Sequence, residues 1–323
     1  MTQEEKRQHL KKKKEKRRKR LIRNTILMIS ALILLIVLGL FIHSCSKTKE
    51  KEAETNKTLI YRNGDGNYDY SSMFDYIKDD YQNADFTVVN FESTISEGNY
   101  SGYPYFRSPA AIADALKQSY VDLCLLANNH IYDNSDTGLH LTMKYLEQYS
   151  LPYAGTRKDE TMSTYFIQDI NGIKVGILNY VYETGDAGGS KSLNGNAVSS
   201  ASGALINTFH YYDLETFYTE IENSLSEMKN AGVEYTIAYL HWGNEYQTQQ
   251  SNYQTEIATK LCELGIDALI GGHPHVIQPV DLLTNSTGNH QMLCVYSMGN
   301  HISNQRQELM DSMPSGHTED GLR

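Results

Sequence analysis

Cysteine is scarce in this 323-residue chain: there are four, and none lies in a Cys-x-x-Cys or zinc-ribbon spacing. That excludes a disulfide framework and a thiolate metal site. Cys124 and Cys294 sit inside apolar runs and Cys262 on the inner face of a helical pattern, so each reads as a small buried hydrophobe. Positive charge is also scarce, except in one place. Residues 1–23 hold twelve of the 29 Lys and Arg and three of the 39 Asp and Glu, which leaves 17 basic and 36 acidic residues in the other 300, a net of −19. Such a body lacks the clustered cations that neutralise phosphates, and no nucleic acid is expected as a partner. Internal repeats are absent, as is low complexity beyond the basic head. With 40% hydrophobic and 21% charged residues, the chain is not wholly disordered.

The basic head precedes Ile26 to Ile42, a run without charge, long enough with Leu21, Ile22 and Thr25 to cross a bilayer as a helix. The positive-inside rule then predicts a cytoplasmic N-terminus and an extracellular main domain. A cleaved signal peptide competes, but the charged region is long and no small-x-small site follows Ile42 cleanly. Ser44-Cys45 resembles the end of a lipidation box, an alternative that would tether the body equally. The expected organisation is a basic cytoplasmic tail over 1–23, a transmembrane signal anchor over 24–44, a polar linker over 45–60 and a folded domain over 61–323.

Downstream lie five apolar runs of strand length: Phe86–Val89, Leu123–Leu126, Ile237–Leu240, Ala268–Ile270 and Met292–Tyr296. Helical patterns lie between them, the clearest over 213–230, where Leu214, Phe217, Ile221, Leu225 and Met228 make one apolar stripe. Ser108-Pro109 reads as an N-cap with proline in the first turn, and Gly232 and Gly265 as helix ends. The alternation predicts an α/β fold.

Each run gives way to polar side chains of the metal-binding kind. Val89 leads into Asn90-Phe91-Glu92, Leu126 into Ala127-Asn128-Asn129-His130, Leu240 into His241-Trp242-Gly243-Asn244-Glu245, Ile270 into Gly271-Gly272-His273-Pro274-His275, and Tyr296 into Ser297-Met298-Gly299-Asn300. Ligands bind beyond the carboxyl ends of strands in α/β sheets, so these five ends can converge on one site. Pro274 pushes His273 toward an extended backbone, which would turn the imidazoles of His273 and His275 to one side. With His241, Asn129 and Glu92 the donor set suits one or two divalent ions, Mn²⁺, Fe²⁺ or Zn²⁺. Any one of these histidines alone would read as an ordinary packed residue. His140, His210 and His290 lie in helical or loop contexts and read as surface or packing residues. Asp133 and Asp136 read equally as helix N-caps and as catalytic carboxylates.

Taken in order, NFESTIS, ANNHIYD, HWGNEY, GGHPHVIQP and YSMGNHISNQ resemble the bacterial capsule-synthesis proteins of the CapA type, from about Tyr68 onward. The resemblance implies poly-γ-glutamate production and a calcineurin-like metallophosphoesterase sandwich, two mixed sheets flanked by helices. It also implies Glu92, Asn129, His241, His273 and His275 as metal ligands, and His130 as the acid that protonates the leaving oxygen in metal-assisted phosphoester hydrolysis. Set against the family pattern, two pieces are expected to be absent: the opening strand ending in Gly-Asp, with Gly64-Asp65 reading as a turn instead, and the strand that Thr318–Leu322 would begin.

The expectation is a membrane-anchored, extracytoplasmic protein of capsule or envelope polymer synthesis with a metal-dependent hydrolase site. Its partners would be the membrane, other capsule export proteins, and an envelope polymer or phosphoester substrate. A non-catalytic scaffold of an export complex is the alternative. An amide hydrolase using the same metals stays open, because ligands fix how water is activated and not which bond breaks.

Overall fold

All five apolar runs contain strands in the computed structural model, which describes residues 68–185 and 189–303, and within each sheet these strands run parallel. In chain order the strands are β1 (Val88–Asn90), β2 (Leu123–Leu125), β3 (Tyr153–Ala154), β4 (Tyr165–Ile170), β5 (Ile173–Tyr182), β6 (Ser192–Leu193), β7 (Asn196–Ala197), β8 (Thr208–Phe209), β9 (Tyr235–His241), β10 (Ala268–Gly272), β11 (Val280–Thr284) and β12 (Gln291–Val295). The helices are α1 (Lys78–Asn83), α2 (Ala111–Gln118), α3 (Ser135–Gln148), α4 (Ser200–Gly203), α5 (Leu214–Asn230) and α6 (Asn252–Leu264).

Strands β1, β2 and β3 form a parallel three-stranded sheet, and a seven-stranded sheet runs β11-β12-β10-β9-β5-β4, with β8 beside β5. In the larger sheet β5, β9, β10 and β12 are parallel, while β4 and β11 are antiparallel to their neighbours. Among the described residues only this sheet is mixed. The expectation of two mixed sheets is corrected, because each described connection in the smaller one is a helical crossover, which brings the next strand back parallel.

Packing makes four layers. Leu123 and Leu125 of β2 meet Val175, Ile177 and Tyr239 between the sheets, while the alternate residues Cys124 and Leu126 turn outward against α2 and α3. On the far side, Phe217, Ile221 and Met228 of α5 and Ile257, Ala258 and Leu261 of α6 cover Leu178, Tyr180, Ala238 and Leu240. Full burial of each such aliphatic side chain contributes roughly 1.5–3 kcal/mol. The intersheet cover runs out beyond β10, and the cross-strand partners Leu282 and Leu293 are 61% and 41% exposed.

Local signals hold in part. Asp213 accepts from the Thr216 amide at the start of α5, and Gly265 ends α6 at φ +94°, where glycine carries no Cβ penalty. Ser108 does not cap a helix: its hydroxyl pairs with Ser93 and α2 begins at Ala111.

Among the described residues no helix is long and apolar enough to cross a membrane. The tail, the span over 24–44 and the linker expected over 1–60 lie outside the described residues, as do Gly64-Asp65 and everything after Ser303. The described residues thus give no support to the single-pass topology, the extracellular main domain, or the membrane, export-complex and envelope-polymer partners inferred from it, and none of these is carried further.

Candidate metal centre

Parallel pairing aligns the strand ends that carry the polar residues. Asn90 pairs with Leu125, so Glu92 and Asn129 leave the smaller sheet side by side. His241 is level with Gly272 on β10 and Val181 on β5. Asn179 of β5 links the layers: its Oδ1 accepts from the Ala127 amide at 2.8 Å, and its Nδ2 donates to the Tyr239 carbonyl at 3.4 Å.

Ligand atoms of Glu92, His273 and His275 all lie within 4.8 Å of one another. Nε2 of His241 and Nε2 of His275 each lie 3.8 Å from Glu92 Oε1, and His241 Nε2 is 3.0 Å from Asn129 Oδ1. The rings of His241 and His273 are 4.9 Å apart. Glu92, Asn129, His241, His273 and His275 thus share one locus.

The segment 273–275 is not extended. His273 has φ +94° and His275 φ +60°, both in the left-handed region. Two such non-glycine residues cost roughly 1–3 kcal/mol each, a strain the surroundings must hold. Gly271 and Gly272 allow the approach: a Cβ on Gly271 would collide with the Tyr296 carbonyl and Trp242 Nε1, and one on Gly272 with the Tyr239 hydroxyl. The expected same-side arrangement arises from a bend, not from strand alternation.

Hydrogen bonds fix which ring nitrogen faces the centre. His275 Nδ1 donates to Asn300 Oδ1 at 2.9 Å, which leaves Nε2 toward Glu92. His241 Nε2, 3.0 Å from Asn129 Oδ1 and 3.8 Å from Glu92 Oε1, is the nitrogen that faces the centre, and its Nδ1 is buried without a partner. His273 Nε2 pairs with the Tyr182 hydroxyl at 3.1 Å, and its Nδ1 is likewise buried and unpaired. Burial first, then the imidazoles of His273, His275 and His130, hold His241 well below the ordinary 6.5; burial, His275 and His130 bring His273 down to about 3. Both rings are therefore neutral near pH 7, each with a lone pair on offer. Unpaired buried nitrogens are costly unless something binds them, and a borderline divalent cation is the partner that imidazole, carboxylate and amide oxygen together suit.

Behind Glu92, Asn128 donates to Asn90 at 3.2 Å and Asn90 to Glu92 Oε2 at 2.9 Å. His130 lies on the same rim. Its Nδ1 donates to Asp133 Oδ2 at 2.7 Å, and Phe106 packs edge-on against the ring at 4.5 Å. Asp133 does not cap α3, and Asp136 is engaged elsewhere by Tyr132, Ser199 and Ser202, whose hydroxyls lower it to about 2.

Tyr182 and Asn179 are not among the residues expected from the sequence, and Asn300, named there as a strand end, is not expected as a partner of His275. Asn300 has a signal, since it follows a strand like the others. Nothing local marks Tyr182 or Asn179, because both lie within an apolar strand. His210 is half-buried in a cleft wall, donating to the Gly185 carbonyl at 2.6 Å, whereas His140 is exposed and His290 donates to the Ile266 carbonyl.

The family model described as "Bacterial capsule synthesis protein PGA_cap" matches residues 40–305. Among curated relatives, "Capsule biosynthesis protein CapA" of Bacillus anthracis is 24% identical over 77% of this chain and 56% of its own length. "PGA biosynthesis protein CapA" of Bacillus subtilis (strain 168) is 23% identical over 72% of this chain and 57% of its own. The chain thus spans a little over half the length of these relatives. A solved structure, the Termus thermophilus sulfate thiohydrolase SoxB in complex with glycerol, is similar at 13% identity and a TM-score of 0.35, covering 59% of this chain and 30% of that one. A likeness that low carries no argument about fold or chemistry. The family match spans most of the chain, including every strand end that meets at the centre, and the chain belongs to the bacterial capsule synthesis protein PGA_cap family.

Proposed function

We propose that this domain is a metal-dependent phosphoester hydrolase of the metallophosphoesterase type, working in capsule biosynthesis. The observation that carries the reading is the convergence of Glu92 with three imidazoles, two of which keep a buried nitrogen without a partner. Glu92, Asn129, His241, His273 and His275 would hold one or two ions of Mn²⁺, Fe²⁺ or Zn²⁺. When bound, such ions supply Lewis acidity and a water of lowered pKa.

The chain's own groups do the rest. Asn300 and Tyr182 orient His275 and His273, as outer-shell partners of metal-binding histidines do. Asn90 and Asn128 hold Glu92. Asp133 aligns the His130 ring so that Nε2 can carry a proton to a leaving oxygen, and Phe106 limits ring rotation and water access. The finer reading, that the capsule polymer is poly-γ-glutamate, is supported by the motif series and by the names of the relatives.

The test is hydrolysis of p-nitrophenyl phosphate and bis-p-nitrophenyl phosphate by the purified full chain loaded with Mn²⁺ or Zn²⁺. Turnover that is abolished by chelation and by His273→Ala supports the assignment. Metal-loaded protein that cleaves neither ester contradicts it.

A further inference from the structure

A cleft of about 470 Å³ opens directly on the metal centre, with Asn129 and His273 in its wall. That volume is in the range of small-molecule sites. Tyrosine dominates one side. Tyr182 lies 5.7 Å from Tyr211 and Tyr211 4.9 Å from Tyr253, ring to ring. With Tyr212 edge-on to Tyr253 at 6.5 Å, the rings follow one another pairwise along the cleft.

Asn194, Asn244 and Glu245 line the cleft, and their side chains make no hydrogen bonds among the described residues. None of the described residues lining it is Lys or Arg. Away from the metal centre, a polyanion would meet the carboxylates of Glu183 and Glu245 here, with no Lys or Arg in the described lining to neutralise it. A neutral group rich in hydroxyls meets the reverse: amide and carboxylate acceptors for its O–H groups and aromatic faces for its C–H surface.

We infer that the cleft receives a neutral, polyhydroxylated group, a sugar or polyol, attached to the phosphoester that the adjoining centre hydrolyses. This rests on the proposed phosphoesterase reading for its second half only. Tyr182 joins the two parts, since it walls the cleft and pairs with His273.

The experiment titrates the full chain calorimetrically with maltose, glucosamine and triglutamate, with and without Mn²⁺. Maltose is expected to bind in both states, and Tyr253→Ala and Glu245→Gln are each expected to weaken it at least tenfold while keeping wild-type metal content. Triglutamate is expected not to bind. No maltose binding, or tighter binding of glucosamine or triglutamate, overturns the inference. Maltose binding without phosphoester hydrolysis supports the sugar cleft and removes the phosphoesterase reading. Hydrolysis of p-nitrophenyl phosphate without maltose binding removes the cleft assignment alone.

Discussion

His130 donates from Nδ1 to Asp133 Oδ2 at 2.7 Å, and the same oxygen accepts the Phe106 amide at 2.7 Å. The carboxylate is thereby fixed from two sides, and the imidazole presents Nε2. Asp133→Asn should weaken this alignment and lower kcat by about 10 to 100-fold, with KM and metal content unchanged. Steady-state kinetics with metal analysis checks it; an unchanged kcat would remove His130 as the proton donor.

Asn300 acts one step behind a ligand. Asn300→Ala removes the acceptor for His275 Nδ1 and frees the ring to turn away from Glu92. Metal affinity should fall about 10 to 100-fold while the thermal midpoint of the chelated protein stays within a few degrees. Competition with a fluorescent chelator measures the first and a melting curve the second.

Acid should destabilise the metal-free protein. His241 and His273 are neutral when folded because burial lowers their affinity for protons, His273 to about 3. The unfolded chain takes up those protons as pH falls through about 6.5, and the folded chain does not until far lower. More protons on the unfolded state means stability rises with pH across that window and is lost on acidification, by up to about 1.4 kcal/mol per pH unit for each ring. Urea unfolding with chelator at pH 7.5, 6 and 5 tests this, and the slope should shrink in His241→Asn. Flat stability in that range would contradict the burial of both neutral rings.

Gly271→Ala should cost about 1–3 kcal/mol, because its Cβ would drive apart the Trp242 indole and the Tyr296 carbonyl that it hydrogen-bonds at 2.9 Å. Gly265→Ala meets no neighbour but sits at φ +94°, where a Cβ strains the left-handed backbone, and should cost about 1–2 kcal/mol. Chemical denaturation of the two variants should show Gly271→Ala as the worse.

The strand ends are legible in the sequence because each of these strands is a short apolar run, and the first polar residues after it mark its end. Parallel pairing then gathers those ends. Other features have no such mark. In β5, Asn179 and Tyr182 are separated by apolar or aromatic residues, and their roles depend on strands 50 to 90 residues away. The left-handed backbone at His273 runs against the extended preference that Pro274 imposes, just after Gly272, whose missing Cβ lets the chain pass the Tyr239 hydroxyl. Ser108-Pro109 carries a good capping signal, but the Ser93 hydroxyl takes the side chain. Asp133 carries two readings in the sequence, and the bond that separates them comes from Phe106, 27 residues earlier.

The most direct measurement is the metal content of the purified full chain after loading with Mn²⁺ or Zn²⁺ and removal of the excess. One or two ions per chain are expected, falling to near zero in Glu92→Ala with His273→Ala and His275→Ala combined. No bound ion in the wild type, or wild-type content in the triple variant, would contradict the assignment of these residues as a metal centre.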